Sequence, residues 1–356
     1  MKRSQAVALA LLLALMACLL PSPLAAAGGG AAWKPLFDGK TLDGWHKVGD
    51  GSWVVDQGAI VGKTQEAAKL YGLLVSDKIY KDFVVKFKFK SLQGNSGFYV
   101  RGRIEAPDRA HGLQIEIDPR NNTGGIYESY GRRWISQPKP EQVEQYYKLD
   151  QWNTMMITAE GGDVVVRVNG VRSAELQDDP SPAEGHFIMQ MHAGNEMLVM
   201  LKDVQVFEAA GKPLLARPQT VRPAADGSLV LHASVGRAVG PKIEYMPDCE
   251  AFGWWTDQDR AEWDLDVKAA GKYDVWLQWS VADSSAGNPY VFEIADGRLS
   301  GKIESTGGRD VYRKAKLGQV ELKAGPQSAV FKPGGQFERG LLDLREIRLV
   351  PAGGQK

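Results

Sequence analysis

Cysteine is nearly absent from this chain: its 356 residues hold two, Cys18 and Cys249. Cys18 lies in an apolar leader-like run, and cleavage after that run would leave Cys249 without a partner. A disulfide framework is excluded, and stability has to come from buried area. A surplus of charge is also missing. Lysine plus arginine and aspartate plus glutamate number 43 each, for a formal net charge of zero. No basic stripe points to nucleic acid, and no acidic tail points to disorder. Long apolar runs are confined to Ala6–Leu20, shorter than the ~20 residues of a membrane span. Sustained helical periodicity is lacking too, with Pro140 to Tyr147 as the one short helical candidate.

What is present begins with Met1-Lys2-Arg3, the apolar run and Ala25-Ala26-Ala27, which together read as a secretory signal over residues 1–27. Two exits are open. Cleavage near Ala27 would free the protein into the periplasm or the medium. Leu15-Met16-Ala17-Cys18 also resembles a lipoprotein processing box, which would leave a lipid anchor on Cys18.

From Trp33 onward the chain alternates in short segments separated by glycine, asparagine and aspartate. Phe83 to Lys90 alternates for its whole length, Val164 to Val168 does so again, and Val199 to Phe207 closes the unit. Asn169-Gly170 is a type I′ hairpin signal. Residues 209–227 contain three prolines and few strand formers, which reads as a linker or an edge-hugging connection. The strand rhythm resumes over 228–351, with Trp263 and Leu265 on one face and Tyr273, Val275, Leu277 and Trp279 on another. The fold class is therefore all-β: a sandwich over 33–208 followed by a smaller one. Ten tryptophans and eleven tyrosines suit β-cores, and such rings also stack on the apolar faces of sugars.

The segment His111 to Tyr127 carries the most chemistry. Alternation puts Gln114, Glu116 and Asp118 on one strand face. On a concave sheet that face supplies a proton-transfer group and polar ligands for a sugar; facing solvent, it only solubilises. Arg101 and Arg103 lie two apart after Phe98–Val100, where they could hold sugar hydroxyls or form cross-strand ion pairs. His192 shares the face of Gln190. It can relay protons or, as neutral imidazole, bind a cation, whereas a structural role suits His186. His111 and Tyr127 are further ligand candidates. Asp118 to Asn122 offers oxygen ligands without calcium-loop spacing, so a divalent cation is the one cofactor left open. Cys249 has no nearby histidine, and no Gly-x-Ser-x-Gly elbow exists, which disfavours acyl-enzyme chemistry. In Phe252-Gly253-Trp254-Trp255 the adjacent tryptophans cannot both point inward, so one is expected at the surface.

These motifs come in a known order. Trp33 to Trp45, Trp53 to Ile60, Asn95 to Arg101, Gln114 to Tyr127, Trp152-Asn153 and Gly185 to His192 together resemble the 3-keto-disaccharide hydrolase domain family over residues 33–208. The resemblance implies a concanavalin-like jelly roll acting on oxidised glycosides. Leu201-Lys202-Asp203-Val204 stands where the family commonly carries a Phe-Arg-Asn-Ile type motif, so Lys202 keeps the charge without arginine's planar fork. Gly112 stands where an acid is common. Residues 228–351 resemble galactose-binding-like jelly rolls that serve as carbohydrate-binding modules, through Gly271 to Leu277 and Asp343 to Leu349. A 3-keto group acidifies the C2 hydrogen, so an enzyme needs a base there, a donor for the enolate and an acid for the leaving group. The expectation is an exported glycoside-cleaving enzyme of hydrolase or lyase type, with Glu116, Asp118 and His192 catalytic and a carbohydrate as partner. The rival is a lectin-like protein that only binds glycan. Convergence of Glu116, Asp118, His192 and Arg101 on one concave face separates the two.

Overall fold

The structure, a computed structural model, describes residues 32–208 and 211–353. The signal segment and Cys18 lie outside the described residues. The remainder is built from four antiparallel sheets in two sandwiches.

In the first sandwich one sheet runs Val171–Leu176, Asp163–Val168, Asn153–Glu160, Phe83–Gln93, Met197–Phe207, Ala59–Thr64, Ser52–Asp56, with Lys34–Pro35 added to Met197–Phe207. The facing sheet runs Arg133–Ser136, Ile126–Ser129, Arg109–Ile117, Ser96–Glu105, Gly185–Met191, Gly72–Tyr80, Trp45–Gly49. Strands distant in sequence lie side by side, as a jelly roll requires. The alternation in Phe83, Val85, Phe87 and Phe89 sends all four rings and methyls into the space between the sheets, where they meet Phe98, Val100, Leu113, Ile115 and Ile117. Asn169 and Gly170 both adopt positive φ and join Val168 to Val171 in register, as the hairpin signal anticipates. The helix Pro140–Tyr146 buries Val143 and Tyr146.

The second sandwich pairs a six-stranded sheet with a five-stranded one around Trp263, Leu265, Tyr273, Val275, Leu277 and Trp279. The alternation anticipates this core. It does not reveal that the strand at Gln319–Leu322 starts far earlier: the strand is Gly308–Leu322. Its first half carries Arg309, Asp310, Arg313, Lys314 and Lys316 because it is a sheet edge, where charge blocks further pairing.

The proline-rich connection lies along both sandwiches. Leu214 is buried on Val84 and Phe207, Arg217 meets Glu160 and Asp163, and Val221 exchanges backbone hydrogen bonds with Asp264 and Asp266. Beside it an ion pair crosses between the sandwiches. Arg167, on Asp163–Val168, contacts the Glu244 carboxylate and also donates to the carbonyls of Ile243 and Gly170. Both side chains are less than a tenth exposed. Burial pushes the Glu244 pKa up while the guanidinium opposes it.

A buried charge that loses its partner is costly, whereas an apolar pair of similar volume is not. Glu244→Ala is expected to lower stability by ~3–5 kcal/mol in a denaturant melt, and replacing Arg167 and Glu244 together by Met and Leu to recover most of that loss.

Candidate active site

The face of the seven-stranded sheet that points away from the core should be the wet one. It is not. Gln114, Glu116, Gln190 and Tyr99 all lie on it, and each is buried. Two loops close over it, fastened where the Tyr71 amide donates to Asp108 Oδ2 at 2.6 Å. Half of the covered face is an apolar patch of Leu73, Val75, Tyr99, Ala110 and Ile188, with Tyr71 against it. The other half is polar.

Register assembles the polar half. Gln190 pairs with Gly97, and Gly97 with Glu116, so three strands set Gln190, a gap and Glu116 in one row. In the next row Ile188, Tyr99, Gln114 and Tyr127 stand side by side, and Trp134 follows Tyr127. The gap has a purpose: a Cβ on Gly97 would sit 2.5 Å from Gln114 Cγ, so glycine is what lets the Gln114 chain lie across the row.

A continuous hydrogen-bond network results. Gln190 Nε2 donates to Tyr99 Oη at 3.0 Å, which donates to Gln114 Oε1 at 2.6 Å; Ser129 Oγ donates to the same Oε1 at 3.0 Å. Gln114 Nε2 then donates to Glu116 Oε1 at 2.9 Å. Two hydroxyls on one end of Gln114 and a carboxylate on the other fix which end is oxygen. Two acceptors, Gln190 Oε1 and Asn95 Oδ1, are buried without a partner among the described residues. Buried polar atoms are rarely left so.

No cation pairs with Glu116 among the described residues. Burial, and to a lesser degree the negative Asp118, raises its pKa from 4.5 to about 8, with the Asn95 side chain pulling the other way. Rings surround this floor. His192 packs on Tyr71 at 5.1 Å, Tyr127 meets the edge of Trp134 at 5.4 Å, and His111 lies 5.0 Å from the exposed Tyr130. Burial lowers the His192 pKa, which favours the neutral imidazole.

The structure thus brings together Gln114, Glu116, Gln190, Tyr127 and His192. Other sequence candidates lie elsewhere. Asp118 stands just past the strand end, where its charge still acts on Glu116 while its oxygens accept from the Arg120 amide and the Asn122 side chain of the following turn at 2.9 Å each. Arg101 sits in a bulge with positive φ that breaks the alternation. Its guanidinium turns away from the face, donating to the Lys81 and Gly161 carbonyls at 2.8 and 2.7 Å. Beyond the bulge Arg103 is exposed opposite His111, which is paired with Glu105 at 2.7 Å. Lys202 belongs to the other sheet, where its ammonium lies over the Trp152 ring. Tyr99, Ser129, Asn95 and Tyr71 are the members that sequence reasoning misses; for Tyr99 the apolar run Phe98-Tyr99-Val100 hides the alternation that shows it. Among the described residues no group of three His, Cys, Asp or Glu side chains is placed to hold a metal ion.

Residues 32–206 match the family model of the 3-keto-alpha-glucoside-1,2-lyase-like domain. Among solved structures, a candidate glycosyl hydrolase from Parabacteroides distasonis is 21% identical, over 49% of this chain and 93% of that one, with a TM-score of 0.38. A carbohydrate-binding module from Bacillus subtilis is 14% identical, over 46% of this chain and 96% of that one, with a TM-score of 0.38. A protein of unknown function with a galectin-like fold, also from Bacillus subtilis, is 16% identical, over 51% and 97%, with a TM-score of 0.40. No curated protein matches the chain.

The raised Glu116 pKa has a thermodynamic consequence of definite sign. Below pH 4.5 the carboxyl is protonated in folded and unfolded chains alike; between 4.5 and about 8 only the unfolded chain ionises, so the fold loses stability as pH rises. Melting curves of wild type and Glu116→Gln should therefore diverge across that interval, the variant gaining relative stability up to about pH 8 and holding a constant lead above it.

Proposed function

We propose, since residues 32–206 match the family model of the 3-keto-alpha-glucoside-1,2-lyase-like domain, that the first sandwich cleaves 3-keto-glycosides, with Glu116 as the proton-transfer group. The observation that carries this reading is an unpaired carboxyl, raised to about 8 by burial, on the polar floor of an aromatic-walled face. A structural carboxylate is ordinarily exposed or paired; one left neutral by desolvation suits acid and base chemistry.

The C3 carbonyl of the substrate acidifies its C2 hydrogen. The Glu116 carboxylate takes that proton, and the electron pair moves to the C3 oxygen as an enolate. As the carbonyl re-forms, C1=C2 is made and the C1–O bond breaks. The departing oxygen takes a proton and leaves as the free alcohol. Addition of water across C1=C2 then gives net hydrolysis, so lyase and hydrolase descriptions share one first step. A carboxylate with a pKa of about 8 is a far better match to a carbon acid than an ordinary one. Gln114 orients it through Nε2, and Tyr99 and Ser129 hold Gln114 in turn. Gln190 Oε1 accepts a sugar hydroxyl, the rings of Tyr71 and Tyr127 flank the pyranose, and the neutral His192 imidazole donates to the enolate or the leaving oxygen. The second sandwich serves as an accessory carbohydrate-binding module. The signal-like pattern of residues 1–27 supports a reaction outside the cytoplasm.

The assay is release of the alcohol from a 3-keto-glucoside, with and without added divalent cation. Wild-type kcat/KM should rise with pH and level off above about 8. Glu116→Gln should lose ~10²–10⁴-fold in kcat without a lower melting temperature. Wild-type protein that binds the sugar but never turns it over leaves only the glycan-binding reading.

A further inference from the structure

A second cleft lies in the second sandwich, remote from Glu116 in the chain and built by the loops around Trp254, Ser280, Arg309 and Arg339. Its volume is about 310 Å³, near the lower end of the ~300–1,000 Å³ typical of small-molecule sites. Trp254 stands at its edge, 57% exposed, while the next residue, Trp255, is buried on Phe331. The backbone of Trp254 explains the difference. Its φ of +62° lies in the left-handed region, which bulky residues avoid at a cost of ~1–3 kcal/mol. That conformation is what turns the indole outward, and an exposed ring recovers none of the cost through burial.

Charge supplies a second, independent observation. Lys242, Arg309 and Arg339 all line this cleft and all are exposed; none lies within ion-pair distance of a carboxylate among the described residues, although Arg309 is near enough to Asp343 to favour its charge. Elsewhere the arginines of this sandwich are commonly paired, as Arg313 is with Glu304 at 2.8 Å. Arg339 also has positive φ, +62°, so two residues of the rim are held in a conformation glycine would adopt more readily. The one acid lining the cleft is Asp343, half-buried. Behind it Ser280 Oγ is fully buried with no hydrogen-bond partner of good geometry among the described residues, although it lies near enough to Asp343 to stabilise its charge.

A flat exposed ring, three exposed cations against a single recessed acid, and that acid as an acceptor specify a ligand class. We propose that this cleft binds a glycan residue carrying an oxyanion, the carboxylate of a hexuronic acid or a sulfate ester, with the sugar ring on Trp254, the oxyanion held by Arg309, Arg339 and Lys242, and a hydroxyl donated to Asp343. A neutral sugar would use the ring but leave the cations unanswered. Guanidinium groups bind such oxyanions through parallel N–H donors, and the pyranose C–H face is apolar enough to pack on indole. The accessory role then has a chemistry: it would hold the protein on acidic polysaccharide. This inference rests on the carbohydrate reading of the second sandwich and not on the chemistry of the first.

The test is calorimetric titration of the full chain with trigalacturonate, a sulfated galactose trisaccharide and neutral galactotriose. Tighter binding of either anionic probe than of galactotriose, by ~10-fold or more, is expected, and the better of the two identifies the oxyanion. Arg309→Gln combined with Arg339→Gln should remove that preference, Trp254→Phe should retain most of the affinity, and Trp254→Gly should lose ~10-fold or more. Since glycine relieves the strain, Trp254→Gly should melt no lower than wild type, which separates lost binding from lost fold. Glu116→Gln should bind as wild type does, so failure of the cleavage reading and failure of this one are distinguishable. Equal affinity for the neutral trisaccharide, no binding of any probe, or unchanged affinity in Trp254→Gly would overturn the proposal.

Discussion

The first sandwich depends on the desolvation of one polar row on a sheet face that ordinarily meets water. Glu116 sits in that row beside Gln190 and Gln114, under loops fastened by the Tyr71 amide and Asp108. Removing a carboxyl from water without a cation favours its neutral form, and the hydrogen bonds it receives from Gln114 do not offset the effect. The rest follows from keeping that row in place. Gly97 leaves room for Gln114, Tyr99 and Ser129 hold the amide, and Gln190 anchors the far end. A network of this kind is rigid because every member but two acceptors is satisfied.

The two buried glutamates of this protein make an instructive contrast. Glu244 is as deeply placed as Glu116, yet it meets the guanidinium of Arg167 and thereby fastens one sandwich to the other. Glu116 has an amide where Glu244 has a cation. The cation beside Glu244 suits structure, and the amide beside Glu116 suits proton transfer. The strap through Leu214, Arg217 and Val221 reinforces the same joint, so the second sandwich is held against the first rather than tethered by a flexible chain.

Much of this is legible in the sequence, and the failures have physical causes. Period-2 alternation suffices to put Gln114 and Glu116 on one face and to assign the cores, because each strand has one buried side. It cannot say that the opposite face is also covered, since that depends on loops meeting from distant positions, 71 and 108. Alternation also assumes an unbroken ladder. The bulge after Val100 breaks it, and Arg101 therefore reaches the Lys81 and Gly161 carbonyls instead of the polar face. Asp118 fails at the end of the strand, where turn geometry takes its oxygens. Lys202 is misplaced because resemblance supplies order along the chain and not which sheet a strand joins. Arg167 is invisible for a further reason: a charged residue in a strand reads as exposed unless its partner, 77 positions later, is known.

The account stands or falls on the state of one carboxyl. Carbon-detected NMR of selectively ¹³C-labelled glutamate, with Glu116→Gln for assignment, follows that group directly through a pH titration of the intact chain. A side-chain resonance lost in the variant and titrating at about 8 is the predicted result. A Glu116 resonance that titrates in the ordinary carboxylate range, near 4.5, would contradict it.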